Sequence, residues 1–171
     1  MAMVGLFWIT EESVWVGAEA VGAATGVRLT EDGVETVGVD QGRSWGWDQV
    51  RRIDVRDVAV RSAARRLASV ALDSVLVAVT GAGGFPPDYT VRVETDTDAD
   101  AVEVSVASAV TGGIYTPVEY ELSRTLLARL TDGAVAVGEL LAWGRDHATD
   151  GTPPREEREA LLRKWTGDDS H

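Results

Sequence analysis

Cysteine is absent from the 171 residues. That rules out disulfide staples, thiolate nucleophiles and Cys-held metals, and leaves the fold to rest on its core. Lysine is nearly absent: Lys164 stands alone among 16 basic residues, the rest being Arg. Histidine occurs only at His147 and at the terminal His171. No paired-His spacing and no nucleophile elbow is present, so neither a zinc site nor a serine or cysteine relay is indicated. Long apolar runs are missing too. Residues 1–10 are apolar, but no basic residue precedes them and Glu11-Glu12 follow at once. They are expected to be neither a signal peptide nor a membrane span, and the chain is expected in the cytoplasm.

Positive charge is in short supply. Asp and Glu number 28, and the net charge is −12. Such a field favours solubility, disfavours nucleic acid and anionic membranes, and suits a basic protein partner. The preference for Arg over Lys, with abundant Ala, Val and Gly, points to a GC-rich bacterial coding background of actinobacterial type. The hydrophobic fraction of 44% is enough for one core, hence one domain with an appendage.

Most of the chain reads as strands. The run 3–9 and the run 13–17 flank a polar turn and predict two short strands. Residues 27–30 and 34–39 predict a hairpin around Glu31-Asp32-Gly33, where glycine accepts the positive φ of a tight turn. Residues 44–56 hold Trp45 and Trp47, expected on one face of a strand, and alternate Ile53 and Val55 against charged neighbours. Residues 60–73 are Ala-rich with Leu67, Val70 and Ala71 at helical spacing, which predicts a helix. Strands are predicted again at 75–80, around Val91 and Val93, and over 102–106, with a turn-rich loop at 81–88. Thr116-Pro117-Val118-Glu119 is a capping box with proline at the first helical position. The helix it opens should bury Val118, Leu122, Leu126, Leu127 and Leu130. A second helix is expected over 134–148, and a third from Thr152-Pro153 carrying Leu161, Leu162 and Trp165. The fold class is therefore α+β: a bent antiparallel sheet or partial barrel over residues 1–131, capped by a helix, with a helical extension over 132–171.

Val27-Arg28-Leu29-Thr30-Glu31-Asp32-Gly33, followed by Trp47-Asp48-Gln49-Val50-Arg51-Arg52-Ile53, resembles the front half of bacterial pleckstrin-homology-like domains. The resemblance spans residues 4–131 and implies a bent antiparallel sheet plugged by a C-terminal helix. It implies no single function, because that fold hosts lipid-headgroup binders, peptide binders and scaffolds. Headgroup binding is disfavoured here, since the first strand pair carries Glu11, Glu12 and Glu19 where the lipid binders are basic.

Four features compete as sites. Arg51, Arg52, Arg56, Arg61, Arg65 and Arg66 outweigh Asp54 and Asp57, giving residues 51–66 a net +4 and the rest −16. Guanidinium forks at this density suit phosphate or a carboxylate-rich partner. The plainer reading is a patch answering the protein's own acidic loops. Asp96, Asp98 and Asp100 have the spacing of a calcium loop's first ligands, but Ala101 and Ala107 stand where such a loop needs Gly and Glu, so a solvated hairpin is expected. Gly81-Ala82-Gly83-Gly84 lacks the Lys-Ser/Thr of a phosphate loop. Trp45 and Trp47 are core packing or an exposed aromatic shelf, and the stripe Leu161, Leu162 and Trp165 packs on its own domain or docks on a partner or a second copy.

The expected function is a non-catalytic cytoplasmic interaction or scaffolding module. It would contact another protein, or a second copy, through these Trp, Arg and tail-helix residues. No cofactor, metal or catalytic residue is expected. A small-molecule or lipid carrier with a pocket between sheet and helix is the alternative, ahead of a carboxylate-based enzyme.

Overall fold

The structure, a computed structural model, describes residues 2–38, 42–60, 88–97, 100–109 and 115–168. Those residues form two antiparallel sheets followed by three helices, an α+β fold with its helices at the C-terminal end. The first sheet is a six-stranded meander: β1 (Ala2–Val4), β2 (Phe7–Ile9), β3 (Val14–Val16), β4 (Gly26–Leu29), β5 (Gly33–Val37) and β6 (Ser44–Gly46). The second is β7 (Val50–Arg56), β8 (Tyr89–Thr95) and β9 (Val102–Val106), again in chain order. Neither sheet closes into a barrel among the described residues. The helices are α1 (Pro117–Asp132), α2 (Val137–Asp146) and α3 (Arg155–Thr166).

Register explains which side chains are inside. Ala2, Ile9, Val14, Leu29, Val34 and Trp45 are cross-strand partners in one row, and Val4, Phe7, Val16 and Val27 in another. Both rows point to the same face, since alternate residues of a strand share a face, and all ten side chains are buried. The opposite face carries the row Met3, Trp8, Trp15, Arg28, Glu35 and Ser44. There the Arg28 guanidinium lies 5.7 Å from the Trp15 ring centre and pairs with Glu35. The sheets join where Ala18 N donates to Ala107 O at 2.8 Å.

The opening apolar run is a hairpin and not the single strand expected. It turns at Gly5, which has φ +58° and whose missing Cβ leaves room for Ser123 Oγ of α1. Leu6 N donates to that same oxygen at 3.1 Å. The turn is buried against the helix, so it carries no polar residue to announce it. Gly33 also plays a different part from the one expected. It opens β5 without a positive φ, and glycine is needed because a Cβ would strike the Trp45 carbonyl on the neighbouring strand.

α1 starts where its capping box predicts, with the Glu119 carboxylate accepting from the Thr116 hydroxyl in place of its backbone N–H. Glu119 N donates to Thr116 Oγ1 at 3.2 Å, Pro117 is the first helical residue, and Gly133 ends the helix at φ +77°. Leu122, Leu126, Leu127 and Leu130 are buried, but Val118 is exposed. Glu119 and Ser123 take inward positions, because each finds a partner there: Arg158 Nε for the carboxylate at 2.6 Å and Leu6 N for the hydroxyl. The residues after 132 share the same apolar cluster as the sheets, through Val137, Leu140, Leu141, Leu162 and Trp165. Met3 N reaches Thr152 Oγ1 at 3.1 Å, tying the α2–α3 connection to the first strand. The helix expected over 60–73 and the strand over 75–80 lie outside the described residues, save Val60, which bridges to Tyr115. The loop expected over 81–88 also lies outside them, save Asp88.

Tyr89 and Tyr115 meet edge to face in this core, their ring centres 6.3 Å apart. Ser108 Oγ donates to Tyr115 Oη at 3.0 Å. Burial, and then the neighbouring Tyr115, push the Tyr89 hydroxyl well above the ordinary tyrosine value of 10.0. The folded state therefore keeps a proton that the unfolded chain releases. This stabilisation is complete below pH about 10 and is lost as pH rises from there toward the folded value, at up to about 1.4 kcal/mol per pH unit. Tyr89→Phe is expected to flatten the fall of stability above pH about 10 while leaving its dependence near neutrality unchanged. Urea titrations across that range decide it: an equally steep fall in the variant assigns the alkaline loss to other groups.

Candidate functional site

The described part of the arginine window lies on β7. A bulge between Val50 and Arg52 turns Arg51 and Arg52 outward together, and Arg56 follows on the same exposed face. Each has an acidic neighbour: Arg51 pairs with Asp96, Arg52 lies 3.8 Å from Asp54, and Arg56 lies 3.6 Å from Glu103. Cross-strand register continues the alternation, setting Arg52 against Glu94, and Arg92 between Asp54 and Glu103. This outer face is a chequerboard of exposed and half-buried opposite charges, whose exposed pairs contribute about 0–1 kcal/mol each. Among the described residues the window answers the protein's own carboxylates. Arg61, Arg65 and Arg66 lie outside the described residues.

A cleft of about 160 Å³ runs between β7 and α1, lined by Arg51, Arg52, Asp54, Arg124, Leu127 and Thr131 among others. Ligand pockets for small molecules are typically about 300–1,000 Å³ and mostly apolar. Between the second sheet and α1, Leu126, Leu127, Val91 and Val93 are all closed off from solvent.

The aromatic and tail-helix candidates are mostly core. Trp45 is 5% exposed and stands opposite Val34 on the inner face of the first sheet. It does not share a strand face with Trp47, because β6 ends at Gly46 and Trp47 falls in the following turn. In α3, Leu162 and Trp165 are buried and Leu161 is half-buried against the same cluster, so this stripe faces its own domain. Trp165 meets Trp143 of α2 edge to face, with ring centres 6.0 Å apart. Among the described residues the only large hydrophobic side chains that are exposed are Val21 and Val118. No broad apolar face is offered there, and of its two alternatives Trp45 takes that of core packing.

Trp47 is the exception. The turn that carries it is closed by Gln49 N donating to Gly46 O at 2.9 Å, and Trp47 N reaches Asp32 O at 3.3 Å. Its indole Nε1 donates to Thr30 O at 2.9 Å, so the ring is pinned upright against the β4–β5 turn while remaining half-buried. Facing it is the junction of α1 and α2. Past Gly133 the chain turns back, with Ala134 N donating to Arg129 O, and buries Val135 and Val137. Together they form a groove of about 270 Å³ whose lining includes Trp47, Leu130, Val135, Val137, Gly138 and Glu31. α2 has no side-chain cap at its N-terminus. The Glu31 carboxylate comes close to its second residue instead, with Oε1 2.7 Å from the point a Cβ on Gly138 would occupy. A negative group there complements the helix dipole.

Of this groove, sequence reasoning flags Trp47 alone. Leu130, Val135 and Val137 read as ordinary helix and connector residues. The clue that was present is the pairing of two turns, Thr30–Gly33 and Gly46–Gln49, each opening beside a strand of the same hairpin. Among the described residues little is assembled for catalysis. His147 stacks on Trp143 with ring centres 4.7 Å apart, and its Nδ1 is 2.9 Å from the Trp143 carbonyl, so it closes a helix end. No group of three or more His, Asp or Glu suited to a metal ion converges among the described residues. No helix among them is long and apolar enough to cross a membrane. Comparison with family models, with characterised proteins and with solved structures finds no match to this chain.

Proposed function

We propose that the chain is a non-catalytic protein-interaction module, and that its contact point is the groove beside Trp47. The observation carrying this reading is the pinned, half-buried indole over a floor of Leu130, Val135 and Val137. A rigid aromatic wall next to an apolar hollow is the form that binding hot spots take, because a side chain inserted there is desolvated on all sides. The scarcity of other exposed hydrophobic residues among the described ones favours a small, reversible contact over an obligate interface. A pleckstrin-homology-like build is supported by the sequence of a four-stranded meander β3–β6, a three-stranded sheet β7–β9 and α1, with the β1–β2 hairpin, α2 and α3 added. The lack of cysteine agrees with a cytoplasmic setting.

The test is a selection of displayed random peptides on the immobilised protein, followed by binding to Trp47→Ala and to Arg52→Gln/Arg56→Gln, each first checked for a native circular dichroism spectrum. Selected peptides are expected to lose about thirtyfold or more in affinity for the Trp47 variant, the scale of a hot spot, and little for the arginine variant. Selected peptides that ignore Trp47, or a selection that enriches none, overturn the reading.

A further inference from the structure

The walls of the Trp47 groove share a property that its lining residues alone do not display. Each segment that builds it carries an acidic residue next to the wall. Glu31 lies in the groove itself and is followed by Asp32, Trp47 is followed by Asp48, and Gly138 is followed by Glu139, while Asp132, before Gly133, lines the cleft between β7 and α1 with Arg51, Arg52 and Arg124. All five carboxylates are exposed, and residues 30–33, 46–49 and 130–139 contain no Arg or Lys. Elsewhere the protein intersperses its charges, as the chequerboard on the second sheet shows. Around this groove four negative charges, Glu31, Asp32, Asp48 and Glu139, stand on segments that carry no basic residue. Like charges crowded on a rim repel one another, and a partner that brings positive charge relieves that repulsion and is steered toward the hollow.

We infer that the occupant of the groove is a partner segment bearing an apolar side chain flanked by Lys or Arg. The apolar group enters between Trp47 and the Leu130–Val135–Val137 floor, and the flanking cations meet Asp48 and Glu139 beside it. The small residues Gly133, Ala136 and Gly138 on the helical side let the partner's backbone come close. This inference rests on the reading of the groove as the contact point and adds to it the chemistry of the partner.

The experiment uses a displayed peptide library randomised with equal numbers of acidic and basic codons, selected on the full chain and on Asp48→Lys/Glu139→Lys. Both substituted positions are exposed, and the variant is first checked for a native circular dichroism spectrum. Peptides from the native chain are expected to depend on Trp47 and to carry Lys or Arg beside an apolar residue. Their affinity should fall roughly tenfold on the charge-reversed variant, chiefly through slower association. The difference should vanish near 1 M salt, where the screening length is about 3 Å. Selection on the variant should shift toward Asp and Glu. Trp47-dependent peptides without a basic excess, or with affinities unmoved by the reversal, overturn the charge inference and leave the groove standing. Peptides indifferent to Trp47, or none at all, overturn the groove reading and this inference with it.

Discussion

Arg158→Met is expected to cost about 3–5 kcal/mol of folding stability, the scale seen when one partner of a buried ion pair is removed. Glu119 sits in the first turn of α1 with its side chain 2% exposed, and Arg158 in the first turn of α3 is 14% exposed. Nε donates to Glu119 Oε1 at 2.6 Å, and Nη1 donates to the Pro153 carbonyl at 2.9 Å. The second carboxylate oxygen accepts from the Thr116 hydroxyl at 3.3 Å. One guanidinium thus holds the start of α3, its own leading loop and the capped start of α1 in a single arrangement. Taking it away leaves a carboxylate buried without its cation, and the cost is that of the orphaned charge more than of the lost attraction. The double variant Glu119→Leu/Arg158→Met should therefore recover most of the loss, because no charge remains inside. Arg56→Gln, which removes one member of an exposed pair, should stay within about 0.5 kcal/mol. Urea midpoints at unchanged slope give all three values. A single variant costing under about 1 kcal/mol, or a double variant no better than the single, would show that solvent reaches Glu119 and that α3 is not locked by it.

The ion pair also marks where sequence reasoning reaches its limit. The capping box at Thr116–Glu119 was legible because its chemistry is local: a hydroxyl three residues before an amide that needs an acceptor. The alternation in 102–106 and 52–56 was legible because a half-buried strand repeats every two residues, and the stripe of α1 because a helix repeats every 3.6. What escaped depends on partners far away in the chain. Glu119 reads as a capping residue at the surface until Arg158 arrives 39 positions later. The buried turn at Gly5 has no polar signature because Ser123, 117 positions beyond Leu6, supplies its hydrogen bond. The arginine window reads as a concentrated positive patch because two of its neutralising carboxylates, Asp96 just past β8 and Glu103 on β9, lie far along the chain. The groove is a case of the same kind, since its floor and its wall come from segments about 85 residues apart.

Trp45 and Trp47, two residues apart, should respond to truncation in opposite ways. Trp45→Ala is expected to cost about 3–5 kcal/mol, the range for emptying a large aromatic site in a core. Its ring lies on the inner face beside Val34, at the end of a six-strand row, with the Arg43 guanidinium 5.4 Å from the ring centre. The strand that carries it lies so close to β5 that Gly33 has no room for a Cβ against the Trp45 carbonyl, so the surroundings have little freedom to collapse into the space left behind. Trp47→Ala should cost about 1–2 kcal/mol, the loss of one hydrogen bond to Thr30 and of partial burial. Folding would survive, and the effect should fall on peptide affinity instead. The contrast separates two roles that tryptophan plays equally well, because the same large ring that fills a core also makes the best wall for a binding hollow. Denaturation midpoints and affinities measured on both variants decide between them. If Trp47→Ala proves the costlier to stability, the indole is a structural wedge between the β4–β5 turn and the helices, and the groove is only the seam along which they pack. If Trp45→Ala is the cheaper and binding is lost with it, the inner face of β6 opens in solution and the contact point must be sought there.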